Sequence, residues 1–135
     1  MILLALISLV TMAQLPRATL EINHHQISVE LAKTTEEHEQ GLSGRKLLPK
    51  NTGMYFIFPE LSRHYFWMKD MNFPLDMVWI RQGKIVGITA NVPPPVSKDL
   101  PIYPSAGLVD AVLEINAGEA AAAGLKVGNK VEILQ

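Results

Sequence analysis

The sequence predicts an α+β protein, mostly β, built on a small curled, barrel-like sheet with two short helices. Three observations carry that expectation. Short apolar runs alternate with polar residues and are separated by turn residues, which gives roughly six to eight strands. Helical signals are confined to two brief stretches, one opened by a capping box and one rich in alanine. At 135 residues, the chain can fill one hydrophobic core and is too short for two domains of ordinary size.

The elements follow in chain order. Leu20 and Ile22 alternate with polar neighbours, as do Ile27, Val29 and Leu31 beyond Asn23-His24-His25-Gln26, and this is a β-hairpin pattern. Thr34 followed by Glu37 forms a capping box, so a short helix runs from about Thr35 to Gln40 until Gly41 and Gly44 stop it. Met54 to Phe58 and His64 to Met68 read as aromatic-rich, half-buried strands. Asp76 to Arg81 and Lys84 to Ala90 flank Gln82-Gly83, the strongest hairpin signal in the chain. Met77 and Trp79 on one face of the first arm, with Val78 and Ile80 on the other, leave neither face polar and place it near the middle of the sheet. From Val92 to Pro104, prolines 93, 94, 95, 101 and 104 exclude a central strand or a helix interior. That long, stiff loop is the first place to expect a binding edge. Val109 to Ile115 is a further strand, Ala117 to Ala123 a short helix ended by Gly124, and Lys130 to Leu134 the last strand.

Composition narrows the function classes. With 12 Lys and Arg against 13 Asp and Glu, the net charge is −1, so no global field draws nucleic acid or an anionic membrane, and neither is an expected partner. A 48% hydrophobic and 19% charged chain is that of a folded protein. Cysteine is absent, which removes thiol nucleophiles, disulfides and thiolate zinc sites together.

Ile2 to Val10 is apolar apart from Ser8, too short to span a bilayer comfortably and of the length of a signal-peptide core. Thr11-Met12-Ala13 then offers small residues for cleavage before Gln14, although the usual positive leader is missing. The expected organisation is a signal peptide or hydrophobic segment over residues 1–13, a spacer over 14–18 and one domain over 19–135. Export to the periplasm or medium follows, or membrane anchorage through that segment if it is uncleaved.

Catalytic signatures fail at nameable positions. Gly41-Leu42-Ser43-Gly44-Arg45 imitates a nucleophile elbow, but Arg45 stands where glycine is needed and a helix is ending where one should begin. His38-Glu39 opens an H-E-x-x-H zinc motif whose second histidine is replaced by Leu42. His24 and His25 are turn residues pointing in opposite directions, and His64 alone means little. No metal or cofactor site is expected.

The carboxylates carry more. Asp76 shares its expected face with Val78 and Ile80, and Glu114 shares its own with Val112, so both are expected to be partly buried and in need of partners. Lys69 and Arg45 are candidate partners. The structural reading has Asp76 capping the backbone after Pro74 and Glu114 in an ion pair; the functional reading makes them the polar floor of an apolar cleft. The candidate ligand-binding residues are therefore Arg45, Trp67, Lys69, Asp76 and Glu114, with Trp67 as the flat apolar face.

Three runs also carry a resemblance. Gly53-Met54-Tyr55-Phe56-Ile57-Phe58, the stretch from Phe66-Trp67-Met68-Lys69 through Pro74-Leu75-Asp76 to Ile80, and Val112-Leu113-Glu114-Ile115-Asn116-Ala117-Gly118 resemble the bacterial and archaeal family called domain of unknown function 192. The resemblance spans about Leu20 to Leu134 in the family's order and spacing, and it implies a compact β-rich domain that often follows a signal peptide. It implies no activity. Asp70-Met71 stands where the family usually has asparagine-threonine, and Ser43 where a methionine is common.

The resulting expectation is an exported, non-enzymatic domain that binds a small polar, sugar-like ligand or a cell-envelope protein. One alternative is a hydrolase-like enzyme using Asp76 and Glu114 as paired carboxylates about 5 to 10 Å apart across a cleft. Another is a structural or assembly module meeting its partner through an exposed apolar patch.

Overall fold

The computed structural model describes residues 14–134, so the expected signal segment lies outside the described residues. In chain order the elements are β1 (Arg17–Ile22), β2 (His25–Ala32), α1 (Thr35–Gln40), β3 (Thr52–Ser62), β4 (Tyr65–Phe66), β5 (Leu75–Arg81), β6 (Lys84–Val92), β7 (Tyr103–Pro104), β8 (Val109–Asn116), α2 (Glu119–Ala122) and β9 (Val131–Leu134). Seven strands form one sheet in the order β6-β5-β8-β3-β2-β1-β9, and β4 pairs with β7 in a separate ribbon. The expected mostly-β architecture with two short helices is what the chain adopts.

Pairings are antiparallel except β2 with β3, which α1 and the loop after it make parallel by carrying the chain back to the same end of the sheet. The sheet curls into a half-barrel whose two edge strands touch at one corner. There Lys84 bridges Lys130, and Ile85 N–H donates to the Asn129 carbonyl at 3.0 Å while Val131 N–H donates to that of Gly83 at 2.8 Å. Such contact partly protects two edges that would otherwise be open to pairing.

Curling gives the sheet an inside and an outside, and each carries its own core. Leu20, Ile22, Val29, Val78, Ile80, Leu113 and Ile115 fill the inside, with Ala120 of α2 and Leu125 packed among them. On the outside, Met54, Phe56, Met77, Trp79 and Val112 lie beneath Leu42, Leu48, Met68 and Met71. Burying a side chain such as Phe56 contributes roughly 1.5–3 kcal/mol. Gly53 is required in β3, because a Cβ there would strike the Glu114 carbonyl of β8.

Several boundaries differ from expectation for local reasons. β5 is buried from Leu75 to Ile80, as its two apolar faces require, yet it is second from the edge rather than central. The outer layer covers its second face, so two-sided burial did not demand a middle position. The strand expected over His64 to Met68 shrinks to Tyr65–Phe66, because a turn closes with Met71 N–H donating to the Met68 carbonyl at 3.1 Å. Helix α2 begins only at Glu119, since Gly118 has a left-handed φ of 91°.

Candidate functional site

Local chemistry at α1 sets one wall of a cleft. The capping box forms as read: Glu37 N–H donates to Thr34 Oγ1 at 3.1 Å, and the Thr34 N–H donates to Glu37 Oε1 at 3.1 Å. With the helix phase fixed, His38 turns toward β3. Its Nε2–H donates to the Ala32 carbonyl at 2.9 Å, and its ring centroid lies 4.4 Å from that of Phe58. Gly41 ends α1 at φ 47°, with Phe56 3.4 Å from where a Cβ would sit.

The residues after α1 are tied to a second turn. Gly44 N–H donates to the Asp70 carbonyl at 2.8 Å, Ser43 Oγ to that of Lys69 at 3.2 Å, and Asn72 Nδ2 to that of Arg45 at 2.8 Å. Asp70 adopts a left-handed φ of 59°, a conformation that asparagine and aspartate tolerate better than other side chains.

The opposite wall is β4 and the residue before it. Ser105 clamps this segment: its N–H donates to the His64 carbonyl at 2.8 Å, and its Oγ accepts from His64 N–H at 3.0 Å. His64 stacks on Phe58 with centroids 3.7 Å apart and planes 21° from parallel. Phe66 meets Phe56 and Trp79 edge to face.

Between these walls lies a cleft of about 260 Å³, at the small end for ligand sites. His38, Glu39, Phe58, His64, Phe66 and Trp67 line it, together with Ser43, Met71 and, from the sheet, Glu114. Glu114 is only 5% exposed. Burial alone pushes its carboxyl up to about 8, and among the described residues no cation or donor holds it in the charged form. His64 Nε2 is buried without a hydrogen-bond partner. Burial lowers the His64 pKa, opposed by a hydrogen bond to the Glu60 backbone and assisted by the neighbouring charge of His38. At neutral pH the cleft therefore holds a protonated carboxyl and a neutral imidazole with an unused nitrogen. Among the described residues no three His, Asp or Glu side chains are grouped to hold a metal ion.

The five candidates from the sequence part company here. Trp67, half-exposed at 51%, and Glu114 line the cleft. Lys69 does not; it is exposed, with Nζ 5.4 Å from the Trp67 ring centroid, and it pairs with neither carboxylate. Arg45 is turned away into an ion pair with Glu30, with one of its two hydrogen bonds at 3.0 Å. Asp76 is fully buried on the inner face and accepts from the backbone N–H groups of Asn91 at 2.9 Å, Gly118 at 3.0 Å and Ala120 at 3.0 Å. It caps α2 rather than the backbone after Pro74, and Glu114 makes no ion pair.

The paired-carboxylate arrangement is likewise not formed. Asp76 pairs across the ladder with Ile115, and Glu114 with Met77, so alternation sends the two carboxyl groups to opposite faces of the sheet. The proline loop also lines no part of the cleft; its far end, through β7 and Ser105, braces the β4 wall.

His38, His64, Phe58 and Phe66 are cleft residues that the sequence reading did not select. The available signal was the aromatic density of β3 and β4, but nothing local says that a helix histidine and the histidine just before β4 share Phe58. Of the positions where the chain departs from its resembled family, Ser43 and Met71 line the cleft and Asp70 does not.

Comparison with known proteins identifies the family. The family DUF192, described as Uncharacterized ACR, matches residues 18–133. No curated protein matches the chain significantly. A crystal structure of a protein of unknown function from Novosphingobium aromaticivorans is 35% identical, covering 87% of this chain and 86% of its own, with a TM-score of 0.81. A second, from Sinorhizobium meliloti and provisionally assigned as a transcription regulator, is 32% identical over 91% of this chain and 98% of its own, with a TM-score of 0.84.

Proposed function

The chain belongs to the DUF192 family, and from that premise we propose that it binds a small polar molecule bearing a ring in the cleft between α1 and β4. The observation that carries this reading is the Glu114 carboxyl, buried against the cleft with no protein partner. The cleft also holds His64 Nε2, buried without a partner, and an unpaired buried polar atom costs roughly 1–3 kcal/mol. A ligand that bonds to it and to the Glu114 carboxyl offsets that cost. Trp67, Tyr65 and Phe66 offer ring faces and edges at the walls, which suits a flat or ring-shaped body.

Export belongs to the same proposal, because the Ile2 to Val10 run and the small residues before Gln14 remain the reason to expect it. Protein recovered from outside the cytoplasm should begin at Gln14 on N-terminal sequencing; a cytoplasmic product that retains Met1 would end that part of the reading.

The binding proposal is tested by thermal shift on the chain from Gln14 onward, against monosaccharides, cyclic amines, cyclic amides and nucleobases. A ligand that binds only the folded state raises Tm by mass action. Trp67→Ala removes a half-exposed side chain and should leave the fold intact while weakening any hit by about tenfold, the effect of losing about 1.4 kcal/mol. No hit in any class, or hits that Trp67→Ala leaves unchanged, would defeat the proposal.

A further inference from the structure

Resting on the reading of this cleft as a ligand site, we infer that it selects an organic cation, an ammonium or amidinium group carried on a small ring, and that Glu114 is its counter-charge. The polar lining decides the sign. Glu39 and Glu114 are the only formally charged residue types in it, and no lysine or arginine contributes. His38 Nε2 is used as a donor to the Ala32 carbonyl. His64 Nε2 is buried and unpartnered.

A ligand in this cleft therefore meets the unpartnered Nε2 of His64 and a carboxyl that gains a charged partner only if the ligand is a cation. Phe58, Phe66 and Trp67 add ring faces, which attract cations electrostatically. Lys69 near the Trp67 ring already illustrates that attraction. An anionic ligand would face Glu39 with no lysine or arginine in the lining to offset it, and would oppose ionisation of Glu114. A neutral polyol could satisfy His64 Nε2 but would leave Glu114 protonated.

Cation binding is then coupled to a proton. Glu114 is mostly protonated at neutral pH, and it must give its proton to solvent to become the counter-ion. The ionisable groups sharing the cleft with it are His38 and Glu39 from α1 and His64 and Tyr65 beside and on β4, while β3 and β5 present Met54 and Met77 to it. His64 is held neutral by burial, so the proton released is that of Glu114.

The test uses the chain from Gln14 onward with two matched pairs of probes: cyclohexylammonium against cyclohexanol, and benzamidinium against benzamide. Both cations keep their charge across the range used. Each cation should bind at least about tenfold tighter than its neutral partner at pH 8, and a pH-stat titration at pH 7 should record close to one proton released per cation bound. Affinity for the cation should rise about tenfold from pH 6 to pH 7. Glu114→Gln, nearly isosteric, should abolish both the proton release and the pH slope, while Lys69→Ala should leave them in place.

Neutral probes that bind as well as the cations, or proton release that survives in Glu114→Gln, would overturn the cation assignment and leave the cleft a ligand site. Absence of binding by both cations would overturn the cation assignment, and the ligand-site reading would then rest on the wider thermal-shift screen. Cation binding unaffected by Trp67→Ala would place the ligand elsewhere and equally defeat the assignment.

Discussion

Two buried carboxyl groups one register step apart on neighbouring strands have opposite surroundings. Asp76, on the inner face of β5, receives three backbone hydrogen bonds between 2.9 and 3.0 Å. Glu114, on the outer face of β8, receives none from a charged or polar side chain and is pushed up to about 8 by burial alone. The same cost of removing a carboxyl from water is met in one case by preorganised N–H donors and in the other by keeping the proton. The first arrangement holds structure together: it ties α2 and the end of β6 to the sheet. The second leaves bonding capacity unused beside a cleft, which is what a binding site needs and a structural site avoids.

The largest expected effect tests the structural member of the pair. Asp76→Ala leaves the N–H groups of Asn91, Gly118 and Ala120 without their acceptor in a buried place. We expect a stability loss of roughly 3–5 kcal/mol, read by urea denaturation at pH 7. A loss below about 1 kcal/mol would mean that water or a rearranged α2 replaces the carboxylate, and the contrast with Glu114 would collapse.

The next effect tests the functional member, and it depends on pH. The folded-state pKa of Glu114, about 8, lies above its ordinary value of 4.5. The stabilisation from holding the proton is therefore fully present below pH 4.5 and is lost as pH rises through 8. Glu114→Gln cannot lose it. The variant should be within about 1 kcal/mol of the parent at pH 4.5 and more stable by on the order of 4 kcal/mol at pH 9. Denaturation curves at the two pH values give the difference directly. Were that difference independent of pH, Glu114 would not titrate in this window, and the unpartnered carboxyl would have a partner after all.

How much of this contrast was legible beforehand depends on the range of the interactions. The burial of both carboxylates followed from alternation alone: Asp76 with Val78 and Ile80, Glu114 with Val112. The capping box and the Gln82-Gly83 hairpin were legible for the same reason, since their partners lie within a few residues. The partners of Asp76 were not, because Asn91, Gly118 and Ala120 meet it only once β6 and β8 flank β5. Nor was the cleft. His38 was set aside with its incomplete zinc motif and His64 as a lone histidine, yet Phe58 brings them together across the end of β3. Arg45 shows the converse: its charge was visible, but its choice of Glu30 over a buried carboxylate follows from the turn that anchors it to Asn72.

The smallest expected effect separates charge at the cleft rim from charge in the fold. Had Lys69 been the counter-ion of Asp76 or Glu114, its loss would strand a buried carboxylate and cost about 3 kcal/mol or more. The turn over residues 68–71 instead carries it off the strand, leaving it exposed over Trp67. A cation near an exposed aromatic face contributes roughly 0.5–1 kcal/mol at most, and some of that is recovered when the freed ring is hydrated. Lys69→Ala is therefore expected to change stability by about 0.5 kcal/mol or less, with no dependence on pH between 5 and 9, as measured by the same denaturation series. A loss that grew with pH in step with ionisation of Glu114 would show Lys69 reaching that carboxylate in solution. In that case the cleft would carry its own internal cation, and its unfilled acceptor could no longer be reserved for a ligand.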